Sequence, residues 1–279
     1  MSAERSFRRF EPPARLRDVV EHAWVAWRPA TSTREVLLPD GCGQLLLVAG
    51  APAVVTDPLT GDRHDEESTV RGPALAVQVR ETTGPGVALG LVLTPVGLAR
   101  LWAPRPALRG LAPAADLLGA DTVTDIVDAL TREEVEAAVL SAWVAVDRVP
   151  RRDSEDVDLL AQALTVARSG RGMVRGVDLA HEVGVPLGQL HRLCSLLLGL
   201  DPGRWLSTVR FAAFVRESVG PGPVLADQMV AALRWYLQAG YSPRETERFT
   251  GLPTADLRRL ADRLEQNLSR ENLARRVPA

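Results

Sequence analysis

Gly184-Val-Pro-Leu-Gly-Gln-Leu-His-Arg-Leu193 recurs later in the chain as Gly251-Leu-Pro-Thr-Ala-Asp-Leu-Arg-Arg-Leu260. Both copies read Gly, Val or Leu, Pro, three variable residues, Leu, one variable residue, Arg and Leu, and each follows a short amphipathic segment. Glycine permits the left-handed backbone of a tight turn, and the apolar residue after it can pack between two helices. The repeat therefore predicts two helix-turn-helix units.

The second helix of each unit is expected to bury its leucines and to leave its other face open to a partner. Arginine and glutamine on such a face can bond base edges in a DNA major groove, arginine to guanine in a bidentate fashion. The sequence predicts base contacts from Gln189, Arg192 and Arg259. Helix-turn-helix corners also occur in bundles that never touch DNA, so a purely structural role is the alternative interpretation of the repeat.

Helical periodicity extends over most of the second half of the chain, with short breaks at Gly and Pro. The longest break, residues 219–224, is expected to divide this half into two sub-bundles. The predicted helices are 155–169, 176–182, 187–198, 203–219, 225–239, 243–250 and 254–268.

The first half has a different pattern. Up to about Thr94, short segments rich in Val and Leu alternate with Gly, Pro and Asp, which predicts a small β-sandwich or barrel. The predicted strands are 36–38, 44–48, 53–56, 74–80 and 88–94. Helical periodicity begins at residue 121 and predicts a helical pair over 121–130 and 131–146. Thr131-Arg-Glu-Glu134 fits a capping box for its second helix.

These patterns together predict an α+β fold. Residues 1–150 are expected to form a β-rich N-terminal domain, a sandwich or small barrel, that ends in the helical pair. Residues 151–279 are expected to form an all-α domain with two helix-turn-helix units. The helical pair is a candidate for dimerisation or for passing the state of the first domain to the second.

Composition excludes several kinds of chemistry. All 33 basic residues are arginine, so a P-loop lysine and a Schiff-base lysine are impossible. No G-x-S-x-G or H-E-x-x-H motif is present, nor a G-x-G-x-x-G that opens a helix. We predict that the protein is not an enzyme and uses no cofactor.

Charge is unevenly distributed along the chain. Residues 1–150 carry 15 Arg against 20 Asp and Glu, a net of −5, whereas residues 151–279 carry 18 Arg against 15, a net of +3. The second half is therefore better suited to an anionic partner, although +3 is low for a DNA-binding domain because affinity depends on neutralising phosphates.

Cysteine and histidine spacing favours neither disulfides nor metal. Cys42 and Cys194 are isolated, and the four histidines are scattered, so no metal site is predicted. The N-terminus lacks an apolar signal region, and no segment is long and apolar enough for a membrane span. We expect a cytoplasmic protein. Trp24, Trp27 and Trp102 are candidates for a ligand pocket in the first domain, with core packing as the alternative.

Residues from about 174 to 216 resemble the first half of an AraC-type DNA-binding domain. The matching motifs, in order, are Asp178-Leu-Ala180, Gly184-Val-Pro186, Leu190-x-Arg192-Leu193, Gly199-x-x-Pro202, Trp205-Leu206 and Arg210-Phe-Ala-Ala213. In the N-terminal half, Leu38-Pro-Asp-Gly41, Leu91–Leu98 and Leu101–Leu118 are similar to the β-rich sensing domain of some of these regulators. The resemblance implies two helix-turn-helix units joined by a long helix.

The second unit departs from the family pattern. Gly240-Tyr-Ser242 is similar to the start of the family's second turn, but polar Glu247 stands where an apolar residue is expected. We therefore predict the second unit at residues 243–250 and 254–264, with Gly240-Tyr-Ser242 leading into it.

The function predicted from the sequence is that of an AraC-type transcriptional regulator. It would bind double-stranded DNA, respond to a small-molecule effector or a protein partner at its N-terminal domain, and act as a homodimer. Phosphate contacts are expected from Arg175, Arg204, Arg210 and Arg258. The alternative is a protein-interaction module, binding a partner regulator or a sigma factor through an apolar surface at Leu196-Leu-Leu198.

Overall fold

Ten strands in the N-terminal half form two antiparallel sheets in the computed structural model, which describes residues 7–29, 33–82, 84–102, 107–108, 110–220 and 224–274 (side chains to 266). The strands are Phe7–Phe10 (β1), Val20–Arg28 (β2), Thr33–Leu37 (β3), Gln44–Gly50 (β4), Ala53–Thr56 (β5), Arg63–Glu66 (β6), Thr69–Arg71 (β7), Gln78–Thr82 (β8), Gly86–Leu93 (β9) and Leu111–Pro113 (β10). The first sheet has the order β1-β2-β9-β4-β7-β10 and the second β3-β8-β5-β6.

Helices dominate the rest of the chain. They are Gly97–Leu101 (α1), Ala115–Leu118 (α2), Ala120–Thr131 (α3), Val135–Arg148 (α4), Glu155–Ser169 (α5), Gly176–Glu182 (α6), Leu187–Leu193 (α7), Pro202–Val219 (α8), Ala226–Gln238 (α9), Pro243–Thr250 (α10) and Thr254–Ala274 (α11). A π-helical turn, Cys194–Leu198, continues α7. The predicted fold class, a β-rich domain with a helical pair followed by helices, is confirmed. The predicted boundary at residues 150/151 falls between α4 and α5.

The helical pair α3–α4 covers one face of the first sheet. Ile126, Leu130, Val139 and Val146 are buried there against alternate residues of β2, β4 and β9. The predicted capping box is wrong, however. Thr131 ends α3, and its hydroxyl donates to the carbonyl of Val127 at 2.9 Å, while the N-cap of α4 has no side-chain hydrogen bond. The turn is made by positive φ at Glu133, which sequence reasoning placed inside the box.

Buried charges lie between the two sheets. Glu66 of β6 accepts two hydrogen bonds from Arg80 of β8, at 2.8 and 2.6 Å, and its other oxygen lies 3.3 Å from Nη2 of Arg28 on β2. Glu35 of β3 accepts from Arg80 at 2.5 Å. Since Glu66, Arg80 and Arg28 are all buried, each charge depends on its partners for the solvation it has lost.

The helical half contains two cores that share α8. Trp205, Leu206 and Val209 belong to the core of α5–α7, while Phe211 and Phe214 belong to the core of α9 and α11. The prediction of two sub-bundles is therefore confirmed, but the division lies within α8 and not at residues 219–224.

The two halves are joined by buried contacts. Trp205 has no exposed surface, and its Nε1 donates to the carbonyl of Gly41 at 3.0 Å. Three valines from the N-terminal half complete the core of α9 and α11. They are Val36 of β3, Val79 of β8 and Val77 just before β8. The amide of Val36 also donates to the carbonyl of Val224 at 2.8 Å. None of the described helices is both long and apolar enough to cross a membrane.

Candidate nucleic-acid interface

The first helix-turn-helix unit forms as predicted from α6, a tight turn and α7. Gly184 takes φ of 74°, and the amide of the next residue, Val185, donates to the carbonyl of Ala180 at 2.9 Å. Leu190 and Leu193 of α7 are buried, so the opposite face of this helix is turned outward.

The outward face of α7 carries the predicted base-contact residues. Arg192 is exposed, and its Nη2 lies 3.4 Å from Oδ1 of Asp156, a long contact that a DNA partner could displace. Gln189 is half-buried, and His191 beside it is exposed. The apolar surface proposed for a protein partner is much smaller than predicted, because Leu197 and Leu198 are buried and only Leu196 is exposed, at 54%.

The second predicted unit also forms, from α10, Gly251 and α11. Gly251 has φ of 75°, and a Cβ at this position would lie 2.3 Å from the carbonyl oxygen of Ser207 on α8. The predicted inner stripe of α11 is buried: Leu257, Leu260, Ala261 and Leu264. Arg258, Arg259 and Arg263 line a shallow groove on its outer face, with Arg259 paired to Asp256.

A second helix-turn-helix arrangement, formed by α9, Gly240 and α10, overlaps this one, and sequence reasoning set it aside because of Glu247. Gly240 has φ of 80° between α9 and α10, as Gly184 has between α6 and α7. Thr246 and Thr250 follow Gly240 by six and ten residues, the offsets at which Leu190 and Cys194 follow Gly184, and all four are buried.

The helix pair α6–α7 and the helix pair α9–α10 therefore share one register relative to their turn glycines. In this register Arg248 of α10 occupies the position that Arg192 holds in α7, eight residues after the turn glycine, and both are exposed. Glu247, which seemed to break the pattern, is an outward residue. The missed signal was the Thr246–Thr250 pair: the Thr250 hydroxyl donates to the backbone carbonyl of Thr246 at 2.7 Å, so the polar Thr250 side chain can be buried.

The four arginines predicted to contact phosphate differ in their surroundings. Arg204, at the start of α8, and Arg258 are exposed. Arg175, just before α6, is exposed and donates to Asp178 at 2.6 and 2.8 Å. Arg210 is half-buried between α8 and α10 and donates from Nη1 to the carbonyl of Arg248 at 3.4 Å, and burial lowers its pKa. Its geometry suits packing of the second unit onto α8.

The three tryptophans proposed for a ligand pocket do not lie together. Trp24 faces the second sheet, with the guanidinium carbon of Arg80 5.7 Å from its ring centroid. Trp27, three residues along the same strand, points to the opposite face and packs at the edge of the core that holds Trp102. A cavity of about 220 Å³ lies between the sheets, and none of these tryptophans lines it.

Both cysteines are buried and free. Burial raises the pKa of Cys194 to about 12, and it also raises the pKa of Cys42 well above its ordinary value. Cys194 thus packs as a small apolar residue on the inner side of the first unit. Among the described residues, no group of three or more His, Cys, Asp or Glu is placed to hold a metal ion.

Residues 8–108 match a family model described as a domain of unknown function, DUF6597. No curated protein matches the chain. Among solved structures, ToxT from Vibrio cholerae O395 is 9% identical, with 91% of this chain and 98% of that chain covered and a TM-score of 0.42. ToxT from Vibrio cholerae strain SCE256 with bound unsaturated fatty acid is also 9% identical, with 90% of this chain and 94% of that chain covered and a TM-score of 0.39. The AraC-like transcriptional activator CuxR is 15% identical, with 62% of this chain and 70% of that chain covered and a TM-score of 0.31. Within the chain itself, a β-rich domain precedes two helix-turn-helix units joined by a long helix, which is the architecture that its resemblance to AraC-type regulators implies.

Proposed function

We propose that this chain is a DNA-binding transcriptional regulator of AraC type, without enzymatic activity. The observation that carries the proposal is the shared register of the two units on α8. Gly184 and Gly240 begin equivalent turns, and Arg192 and Arg248 stand at equivalent exposed positions. Two units fixed to one helix can present their reading helices to successive parts of the same duplex.

In this proposal α7, α10 and the outer face of α11 read the major groove. Gln189 and Arg192 of the first unit, and Arg248 and Arg259 of the second, contact base edges, where arginine discriminates guanine by two hydrogen bonds. Phosphate contacts come from Arg175, Arg204 and Arg258, which are exposed and attached to helices whose inner faces are buried.

DNA binding is tested by fluorescence anisotropy with a duplex from the protein's own promoter region. We expect Arg192→Ala and Arg248→Ala each to weaken binding by roughly 10- to 100-fold and to relax the preference for one base pair. Arg259→Ala reports in the same way on α11. The matched control is Arg132→Ala, an exposed arginine in the turn between α3 and α4, which should bind like the wild type. The proposal fails if the wild type does not bind the duplex at low salt, or if all four variants behave alike.

A salt series separates this proposal from the protein-interaction alternative. Phosphate contacts release counterions, so the logarithm of the binding constant should fall linearly with the logarithm of salt concentration, and Arg204→Ala should reduce the slope by about one. Binding through Leu196 to a protein partner would be nearly independent of salt.

The N-terminal domain is proposed to sense an effector and to dimerise the protein through α3–α4. Leu140 of α4 is 61% exposed on the outer face of this pair. Light scattering on the wild type and on Leu140→Glu tests the dimer: a wild-type protein that is monomeric at micromolar concentration rules it out.

A further inference from the structure

Three polar side chains, Arg71, Gln44 and Gln78, line the cavity between the two sheets. Arg71 follows Val70 on β7, and because Val70 is buried on the side of α3–α4, strand alternation turns Arg71 toward the cavity. Gln44 of β4 lies directly opposite Arg71 in the ladder, so the two side chains stand side by side. Gln78 of β8 faces them from the other sheet.

Arg71 has no counter-ion at contact distance. In the part of the chain that the structure describes, no carboxylate lies within 4.0 Å of its guanidinium, and its buried Nε has no hydrogen-bond partner. Burial lowers the pKa of Arg71, and the largest influence in the opposite direction is the charge of Asp40, whose own pKa is raised by burial. Glu66, on the same cavity, is already held by Arg80 and Arg28. Arg71 is half-buried, so its guanidinium has lost part of its hydration without a carboxylate beside it, a cost that a ligand anion would reduce.

We propose that this cavity binds a small organic anion, with its carboxylate on Arg71 and Gln44. Leu46, Val55 and Leu75 provide apolar walls, which limits what the anion carries, while Asp65 and Glu67, the acidic residues of the lining besides Glu66, are exposed to solvent. A volume of about 220 Å³ equals that of roughly seven water molecules, which is room for a single ring or a short chain. The ligand is therefore a compact aromatic or aliphatic acid.

Occupancy of this site is coupled to the first helix-turn-helix unit, a step that rests on the proposed function. Leu75 lines the cavity and also packs against the core of α5–α7. Ala74 exchanges backbone hydrogen bonds with Gly41 and Cys42 at 3.1 Å, and the carbonyl of Gly41 accepts from Trp205 of α8. A ligand that shifts the segment after Arg71 therefore acts on the helix that joins the two units.

The site is tested by calorimetric titration of the full chain with 4-hydroxybenzoate, with phenyl phosphate and with 4-hydroxybenzamide, which has the shape of the first probe without its charge. We expect the benzoate to bind and the benzamide not to bind. Arg71→Gln should weaken benzoate binding by roughly 10- to 100-fold, and Arg71→Lys should restore part of it. Arg63→Gln removes an exposed arginine of neighbouring β6 and should leave binding unchanged. Stronger binding of phenyl phosphate than of the benzoate would overturn the assignment of a carboxylate and point to a phosphate ester.

The proposal is overturned if neither anion binds at millimolar concentration, if the benzamide binds equally well, or if Arg71→Gln binds as the wild type does. Calorimetry involves no DNA, so failure of DNA binding leaves this result intact. The coupling is tested separately: the bound anion should change the affinity for promoter DNA in the wild type and in Arg63→Gln, but not in Arg71→Gln. Ligand binding with unchanged DNA affinity would refute the coupling alone.

Discussion

Trp205→Phe removes an indole hydrogen bond that ties α8 to the N-terminal domain. The phenyl ring keeps most of the apolar contact of Trp205, but the buried carbonyl of Gly41 loses the donor that now lies 3.0 Å away. Leaving such an acceptor unpaired costs about 1–3 kcal/mol. The smaller ring also leaves about 40 Å³ unfilled, which adds about 1 kcal/mol at about 24 cal/mol per Å³. We therefore expect the free energy of unfolding to fall by about 2–4 kcal/mol.

Urea denaturation measures this loss, and Trp235→Phe is its matched control. Trp235 is 65% exposed, so the same substitution there should change stability by less than about 0.5 kcal/mol. A second measurement is independent of stability: the indole N–H of Trp205 should exchange with solvent much more slowly than that of Trp235. Equal stability losses, or equally fast exchange of both indoles, would show that the contact with Gly41 does not form.

Three further predictions concern the turns, the buried charges and pH. Gly251→Ala should destabilise the protein by several kcal/mol, because the new Cβ would overlap α8. In Gly184→Ala the Cβ meets nothing within 4 Å, so this substitution should cost only about 1–2 kcal/mol for the positive φ of the residue. Thermal unfolding of the two variants compares these losses. Glu66→Gln should cost about 3–5 kcal/mol in urea denaturation, since it leaves Arg80 buried without its main partner, and a loss below about 1 kcal/mol would contradict this. Burial and, to a smaller extent, the charge of Arg9 lower the pKa of His22, so the imidazole takes up a proton more readily in the unfolded chain than in the folded one. The free energy of unfolding should therefore fall as the pH drops below about 6.5. His22→Gln should flatten that part of the profile of stability against pH.

Local signals were sufficient for the helices of the second half. The predicted helices 155–169, 176–182 and 243–250 match α5, α6 and α10, because each is bounded by a clear start or stop. Ser154 caps α5, Ser242 and Pro243 begin α10, and Gly251 ends it. The inner stripes of α7 and α11 follow from the same periodicity.

Features that depend on tertiary contacts could not be predicted. The long strand β2 has buried residues on both faces, since it lies between α3–α4 and the second sheet, so its sequence shows no alternation. The predicted strand 74–80 begins only at Gln78, because Ala74 bonds to Gly41 and Cys42 instead. The cavity was equally hidden, because Gln44 and Arg71 are neighbours only through the register of β4 and β7.

Val36, Val77 and Val79 lie in the N-terminal half, yet they complete the core of α9 and α11. A fragment that begins at residue 151 would lack these three side chains and would expose Phe211 and Met229 to water. We expect such a fragment to aggregate or to unfold partly, and its loss of DNA binding would say nothing about the reading helices. This shared core also limits the exchange of domains during evolution. A different sensing domain could be joined to these helices only if its own apolar residues replaced the three valines in the core of α9 and α11.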